Sequence, residues 1–296
     1  ADLRDVNITR IRPLNETELL VATEGMGVYK LDMNKCILER YISANYQSYN
    51  EMNGDSINDV FVDESKRIWL ANYPTGITVI DYRYENYHWM KHSMGNKQSI
   101  VNDQVHAVIE DSDGDLWFGT SNGISLYNSG TGEWHSFLSS FNHQLKDKNH
   151  IFITLCEVSP GIIWAGGYTS GIYKINKADL SVEYFSPYLL SHINMRPDKY
   201  IRDMIKDSKG HIWSGGYYNL KCFDLATNSV RLYPGVSSIT AIAEKDSHNM
   251  WIGTAMGLYL LNRDSGKYEY IKLEAGSTYI NTLYQADNGL LYVGTN

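Results

Sequence analysis

One motif recurs along the chain and constrains the fold more than any other feature. In its clearest copy an aspartate-rich turn, Asp111–Gly114, precedes Trp117, and a small-residue turn, Ser121–Gly123, follows it. Five tryptophans anchor copies of the motif, with spacings of 48, 47, 49 and 38 residues: Trp69, Trp117, Trp164, Trp213 and Trp251. Weaker copies around Leu20 and Tyr292 extend the pattern to both ends of the chain. A period of about 40–50 residues predicts a repeat architecture.

Each repeat divides into four short strands. Around Trp117 the predicted strands are Val105–Glu110, Leu116–Gly119, Ile124–Tyr127 and Glu133–Phe137, separated by turns rich in Asp, Asn and Gly. Alternating apolar residues broken by such turns are typical of β-hairpins. No segment sustains a period of about 3.6 residues, so we expect almost no helix.

Four-stranded repeats of this length indicate the blades of a β-propeller. One blade cannot bury both faces of its sheet, so blades must stack on one another. The anchor tryptophans offer a large apolar area for that contact, and we interpret them as core residues and not as a ligand cage. The fold class predicted is all-β, a seven-bladed β-propeller in one domain, 1–296. Six complete blades are expected at 8–41, 57–90, 104–137, 151–185, 200–233 and 239–271, with a truncated seventh at 279–296 that a longer chain would complete.

Composition excludes several classes of protein. Asp and Glu number 34 against 26 Lys and Arg, a formal charge of −8, which argues against a nucleic-acid partner. No apolar stretch approaches the roughly 18 residues that direct membrane insertion requires. The first residues, Ala1–Asn7, lack the pattern of a signal peptide, so we expect any such peptide to be already absent. Cys36, Cys156 and Cys222 have no zinc-binding spacing, and we expect them in strands as small hydrophobic residues, with their pairing open.

The segment from Asp111 through Trp117 to Asn128 resembles the two-component-regulator propeller repeat. That repeat is found in the periplasmic sensor region of hybrid two-component histidine kinases from gut Bacteroidetes, including Bacteroides. The resemblance recurs in five good copies and two weak ones; the first blade lacks the tryptophan, and Trp251 follows a shortened turn. It implies a periplasmic location for this chain. It also implies a parent with a second propeller, an immunoglobulin-like domain, one membrane helix and cytoplasmic kinase modules, so that kinase activity would lie outside this chain.

The predicted function is detection of a ligand, a glycan-derived oligosaccharide, and signalling to carbohydrate-utilisation genes. In a propeller the loops between strands two and three gather on one face with the loops that enter the innermost strands. Four tyrosines recur in the first group of loops: Tyr73, Tyr168, Tyr217 and Tyr218. Polar candidates for bonding sugar hydroxyls stand at the starts of inner strands: Asn58, Asn102, Asp103, Lys199 and Arg202.

Other uses of these tyrosines stay open. They could pack against adjacent loops, or contact the adjoining propeller or a second copy in a homodimer, since tyrosine is common at interfaces. Tyr46 and Tyr49, in the long loop Ser43–Ser56, are further candidates for contact with a ligand or partner.

Two alternatives to sensing are a propeller lyase and a non-binding scaffold. Streptogramin lyases have blades with a similar hairpin and need a histidine base and Mg²⁺. His106, on an innermost strand, is the candidate base, but no catalytic motif accompanies it. We therefore predict no catalytic residues, no metal and no cofactor in this chain.

Overall fold

The structure of the protein is a computed structural model that describes residues 6–44, 54–81, 86–140, 150–185, 199–274 and 278–296, with the backbone alone for 86–89. These residues form β-strands joined by turns and bends, without helix, so none of them forms an apolar helix that could cross a bilayer. The all-β prediction is confirmed. The contacts divide the chain into two compact units, Ala1–Phe152 and Ile153–Asn296, each described by itself. The single-domain arrangement stays a prediction.

The first unit contains three four-stranded antiparallel sheets, called blades, whose strands lie side by side in chain order. Blade 1 consists of β1 Ile8–Pro13, β2 Glu18–Thr23, β3 Val28–Asp32 and β4 Ile37–Ile42. Blade 2 consists of β5 Ile57–Val62, β6 Ile68–Asn72, β7 Gly76–Asp81 and β8 Asn86–Met90. Blade 3 consists of β9 Val105–Glu110, β10 Leu116–Thr120, β11 Gly123–Tyr127 and β12 Trp134–Phe137.

The second unit contains three more blades of the same topology and a hairpin. Blade 4 consists of β13 Phe152–Ser159, which starts on the last residue of the first unit, β14 Ile162–Gly167, β15 Ile172–Asn176 and β16 Ser181–Phe185. Blade 5 consists of β17 Ile201–Lys206, β18 Ile212–Gly216, β19 Leu220–Asp224 and β20 Ser229–Tyr233. Blade 6 consists of β21 Ile239–Glu244, β22 Asn249–Thr254, β23 Gly257–Asn262 and β24 Tyr268–Ile271. The hairpin pairs β25 Ile280–Gln285 with β26 Leu291–Thr295. The six predicted blades of a propeller are present, whereas a seventh blade built on this hairpin stays a prediction.

The anchor tryptophans lie in the second strand of their blades. Trp69, Trp117, Trp164 and Trp213 are at most 2% exposed, and Trp251 is half-buried. The first four contact other aromatic rings; Trp117, for example, stacks on Phe137 at 5.5 Å between centroids. Burial of an indole removes a large apolar area from water, so the recurring tryptophan is explained by packing.

A buried aspartate six residues before the tryptophan joins the hairpin turn to the core. The carboxylates of Asp63, Asp111 and Asp207 accept hydrogen bonds from backbone N–H groups of their turns. Each also accepts the indole N–H of its own blade's tryptophan, at 2.8–2.9 Å. The same carboxylate therefore caps the turn and fixes the orientation of the indole.

Glycines two residues after the tryptophan allow successive blades to approach closely. A Cβ at Gly215 would lie 2.4 Å from a methyl carbon of Ile239, and one at Gly253 would lie 2.6 Å from the same atom of Ile280. Both isoleucines begin the first strand of the following sheet and are fully buried. Only glycine leaves room for this contact.

The prediction that all three cysteines lie in strands is wrong for Cys36. Cys156 is in β13 and Cys222 in β19, both are buried, and burial raises the pKa of each thiol to about 12. Cys36 is exposed in the turn between β3 and β4 with a φ of 54°. The turn requires a residue in the left-handed region, which overrides the preference of cysteine for the interior. All three thiols are free.

Candidate ligand-binding site

The loops between second and third strands lie beside the loops that lead into first strands. In the first unit the N–H of Tyr73 donates to the carbonyl of Ser56 at 2.8 Å. In the second unit the N–H of Gly171 donates to the carbonyl of Lys199 at 2.8 Å, and that of Ser238 to Tyr217 at 3.1 Å. These backbone bonds place the two groups of loops together within each unit, as the propeller prediction requires.

Three tyrosines of the second unit pack on one another at this edge. The ring of Tyr200 stacks on Tyr217, with centroids 4.3 Å apart and an interplanar angle of 27°. Tyr168 contacts the ring of Tyr200 edge-on, with centroids 5.3 Å apart and an interplanar angle of 87°. Tyr168 and Tyr217 are 43% and 53% exposed, so they present aromatic surface to solvent while Tyr200 is half-buried between them. We call Tyr168, Tyr200 and Tyr217 the tyrosine cluster.

Tyr200 is the residue that connects the cluster, and sequence reasoning missed it. Burial raises the pKa of its phenol, while the positive charge of the Arg202 guanidinium acts in the opposite direction. Tyr279 also acts on this phenol, and it precedes β25 as Tyr200 precedes β17. The signal available was this position, directly before a first strand. An aromatic residue at this position faces the neighbouring loop, as the contact of Tyr200 with Tyr217 shows.

The other predicted tyrosines fall into three groups. Tyr218 is exposed and follows Tyr217 directly in the same loop. Tyr73 belongs to the first unit and is 45% exposed. Tyr46 and Tyr49 lie outside the residues that the structure describes.

The predicted polar residues of the first unit already bond within the protein. The Asn58 side chain donates to the carbonyl of Val105 at 2.9 Å, which joins blade 2 to blade 3. Asp103 accepts the backbone N–H of His92, and Asn102 accepts that of Gln104 at 2.9 Å. Their part in ligand binding stays a prediction, and the bonds they make give each a structural reason to be polar.

Two cations flank Tyr200 in the second unit. Lys199 is exposed and Arg202 is half-buried as the second residue of β17. The carboxylate of the adjacent Asp203 is turned to the following blade, where it accepts the N–H of Ile242 at 2.7 Å. The positive charge of Arg202 therefore acts on the cluster through Tyr200, while the Asp203 carboxylate bonds to the backbone of the following blade.

His106, the candidate base of a lyase, donates to or accepts from the hydroxyl of Ser121 through Nε2 at 2.8 Å. Ser121 lies in the loop between β10 and β11, so this contact is the side-chain version of the loop pairing described above. Within the described ranges no three His, Cys, Asp or Glu side chains are grouped to hold a metal ion. The hydrogen bond to Ser121 gives His106 a structural reason to stand at this position, and a catalytic role for it stays an alternative.

Comparison with known proteins agrees with the repeat pattern. Residues 99–122 match the family model described as two component regulator propeller, which confirms the resemblance on the copy that contains Trp117. No curated protein matches the chain.

Two solved structures share the fold. Over 98% of its length the chain is similar to the extracellular domain of a putative hybrid two component system from B. thetaiotaomicron, with a TM-score of 0.81 and 20% identity. The chain spans 38% of that protein. Over 96% of its length it is similar to a catalytically inactive virginiamycin B lyase from Staphylococcus aureus, crystallised with quinupristin, with a TM-score of 0.74, 12% identity and 90% of that chain covered. At these identities the likenesses establish the propeller fold alone.

Proposed function

We propose that this chain is an extracytoplasmic ligand-sensing propeller of a hybrid two-component system, and that it detects a glycan-derived oligosaccharide. The tyrosine cluster is the observation that supports the proposal most directly. Its support from outside the chain is the repeat match at residues 99–122 and the fold shared with an extracellular domain of such a system.

The chemistry of the cluster suits a sugar. A pyranose ring has an apolar face of C–H groups and an edge of hydroxyls. The exposed rings of Tyr168 and Tyr217 offer apolar surface of matching width, and their phenols offer hydrogen bonds at the rim. Because Tyr200 stacks on Tyr217, the ring of Tyr217 is held in place before a ligand arrives. Binding then costs less side-chain conformational entropy.

Signalling would follow from a difference in affinity between two arrangements of the parent protein. Ligand on the cluster would favour one packing of this propeller on the adjoining propeller and immunoglobulin-like domain, and the kinase modules would respond. A seventh blade built on the hairpin of β25 and β26, a periplasmic location and control of carbohydrate-utilisation genes are parts of the same proposal. The proposal requires that the chain bind the saccharide without converting it to a product.

Calorimetry on the 296-residue chain with a panel of plant and host oligosaccharides tests the proposal. We expect one glycan class to bind, and Tyr217→Ala to weaken that binding at least about tenfold, equivalent to ~1.4 kcal/mol. Tyr270→Ala is the matched control, because Tyr270 is similarly exposed, at 51%, but lies on β24 outside the cluster. No binding by any member of the panel would contradict sensing and favour a scaffold.

Two further outcomes separate the alternatives. A change of oligomeric state in Tyr217→Ala, measured by light scattering, would assign the cluster to contact with a second copy. Turnover of a ligand in the presence of Mg²⁺, abolished by His106→Ala, would make the chain a lyase.

A further inference from the structure

Arg202 differs from the other arginines that the structure describes. Six of the seven described arginines have an acceptor: Arg10 and Arg12 at Asp59, Arg40 at Asp55, Arg67 at Asp63, Arg231 at the carbonyl of Asp264, and Arg263 at Asp207 and Glu244. For Arg202 the described residues provide no carboxylate and no hydrogen-bond acceptor. It is half-buried, so part of its hydration is lost without a protein group in exchange.

The residue at the position of Arg202 forms a hydrogen bond in three other blades. Arg202 is the second residue of a first strand, and a break in the strand register accompanies it between Ile201 and Asp203. At the same position in other blades Thr9 and Asn58 bond to a carbonyl of the next blade, and His106 bonds to a loop hydroxyl. Blades 1 to 3 therefore use this side chain for structure, whereas in blade 5 no described residue accepts a hydrogen bond from the guanidinium.

The location of the guanidinium joins it to the tyrosine cluster. Arg202 acts electrostatically on the phenol of Tyr200, which stacks on Tyr217 and meets Tyr168. The carboxylate of its neighbour Asp203 accepts the backbone N–H groups of Ile242 and Met204, and no ion pair joins it to Arg202 among the described residues. In a chain with a formal charge of −8, a guanidinium that forms no ion pair with any described carboxylate is a local exception.

We infer that the ligand of the tyrosine cluster is an anionic saccharide, one that bears a carboxylate or a sulfate ester, and that Arg202 binds its anionic group while the tyrosine rings hold the sugar face. The planar guanidinium fork fits either oxyanion with two parallel hydrogen bonds. The inference rests on the proposed function and narrows its substrate class.

Two matched pairs of probes test the charge requirement on the 296-residue chain. Tetragalacturonate is compared with its methyl ester, and sulfated maltotetraose with maltotetraose, by calorimetry at low salt. We expect the charged member of one pair to bind at least about tenfold more tightly than its neutral counterpart, and the pair concerned identifies carboxylate or sulfate as the anion. Raising the salt concentration should reduce the preference.

Variants assign the preference to Arg202. Arg202→Gln should remove it, Arg202→Lys should keep part of it, and Arg231→Gln, an exposed arginine on β20, should leave it unchanged. The thermal unfolding midpoint of Arg202→Gln should match that of the wild type, because no described group loses a partner. A large drop in that midpoint would contradict the unpartnered guanidinium and overturn the inference.

The remaining outcomes separate this inference from the proposed function. Equal or tighter binding of the neutral probes, or of a neutral member of the oligosaccharide panel alone, overturns the anionic class and leaves sugar sensing supported. A preference for the charged probe that survives in Arg202→Gln overturns the role of Arg202. Failure of every saccharide to bind overturns both.

Discussion

Blades 3 and 4 hold equivalent tryptophans in place by different means. In blade 3 Asp111, six residues before Trp117, accepts the indole N–H at 2.8 Å and two backbone N–H groups of its turn. In blade 4 the same position is Val158, which is buried in a cluster with Trp164. Here aromatic packing takes over, with Phe185 at 4.2 Å and Phe223 edge-on at 5.3 Å from the Trp164 ring. The tryptophan fills the core of the blade in both cases, whereas the aspartate stabilises the hairpin turn and is present only in blade 3 of these two.

The largest effect that distinguishes these blades is expected from Asp111→Ala. The substitution leaves three donors without their acceptor in a buried site, so it should lower the free energy of unfolding by about 3 kcal/mol. Asp113→Ala, in the same turn but exposed, should change it by less than about 0.5 kcal/mol. Urea denaturation measures both. Similar losses in the two variants would show that the buried carboxylate has no special role.

Replacement of the two tryptophans by phenylalanine isolates the indole bond. Trp117→Phe loses ring volume and leaves Asp111 short of one donor, while Trp164→Phe loses ring volume alone, because the described residues provide no acceptor for its N–H. We expect Trp117→Phe to lower the free energy of unfolding by about 1.5 kcal/mol more than Trp164→Phe does, with each loss measured against the wild type. The same urea measurement applies. If the Asp111→Ala background removes this difference, the coupling belongs to the hydrogen bond.

A third test uses pH in blade 5, where Asp207 stands in the aspartate position. Burial pushes the pKa of Asp207 upward, but hydrogen bonds from Trp213 and from the backbone of His211, with the positive charge of His211, leave the pKa below its ordinary value. The ionised form is therefore favoured by folding. Its contribution is complete above the unfolded pKa of about 3.9 and is lost as pH falls through the lower folded pKa.

The variant Asp207→Asn should flatten that acid dependence. Between about pH 4 and pH 2 the free energy of unfolding of the wild type should fall more steeply than that of the variant. Chemical denaturation at a series of pH values measures the two slopes. Parallel slopes would mean that other carboxylates control acid stability.

The smallest effect is expected in blade 6, where Lys245 occupies the aspartate position. Its ammonium lies 4.8 Å from the ring centroid of Trp251, whose N–H donates instead to Gln285 in the hairpin at 2.7 Å. An exposed cation–π contact contributes little, so Lys245→Gln should cost about 0.5 kcal/mol or less. A loss comparable with that of Asp111→Ala would show that the position matters whatever residue fills it.

The predictable part of the fold was local. Turn residues, alternating strands and the spacing of Trp69, Trp117, Trp164 and Trp213 are properties of short segments, and they led to six blades with the tryptophans inside. The exception was Cys36, because composition alone does not reveal that a turn needs a left-handed residue at that point.

The candidate site was less accessible to prediction. Tyr168 and Tyr217 were identified from their equivalent loops, but Tyr200 comes from a different loop 17 residues before Tyr217, and its contact with both depends on how two blades pack. Asn58 and Asp103 looked like ligand groups from their positions, and the structure shows both in bonds to the backbone.

Sequence by itself determined the blade, because the hairpins, their turns and the buried indole are encoded within about 40–50 consecutive residues. Tertiary structure alone decided which polar side chains form hydrogen bonds within the protein and which do not. Asn58 and Arg202 hold equivalent positions in β5 and β17, yet the first reaches a carbonyl of the next blade and the second meets no acceptor among the described residues. The physical reason is that a hydrogen bond between blades depends on the distance across their packed faces, which no residue pattern within one blade records.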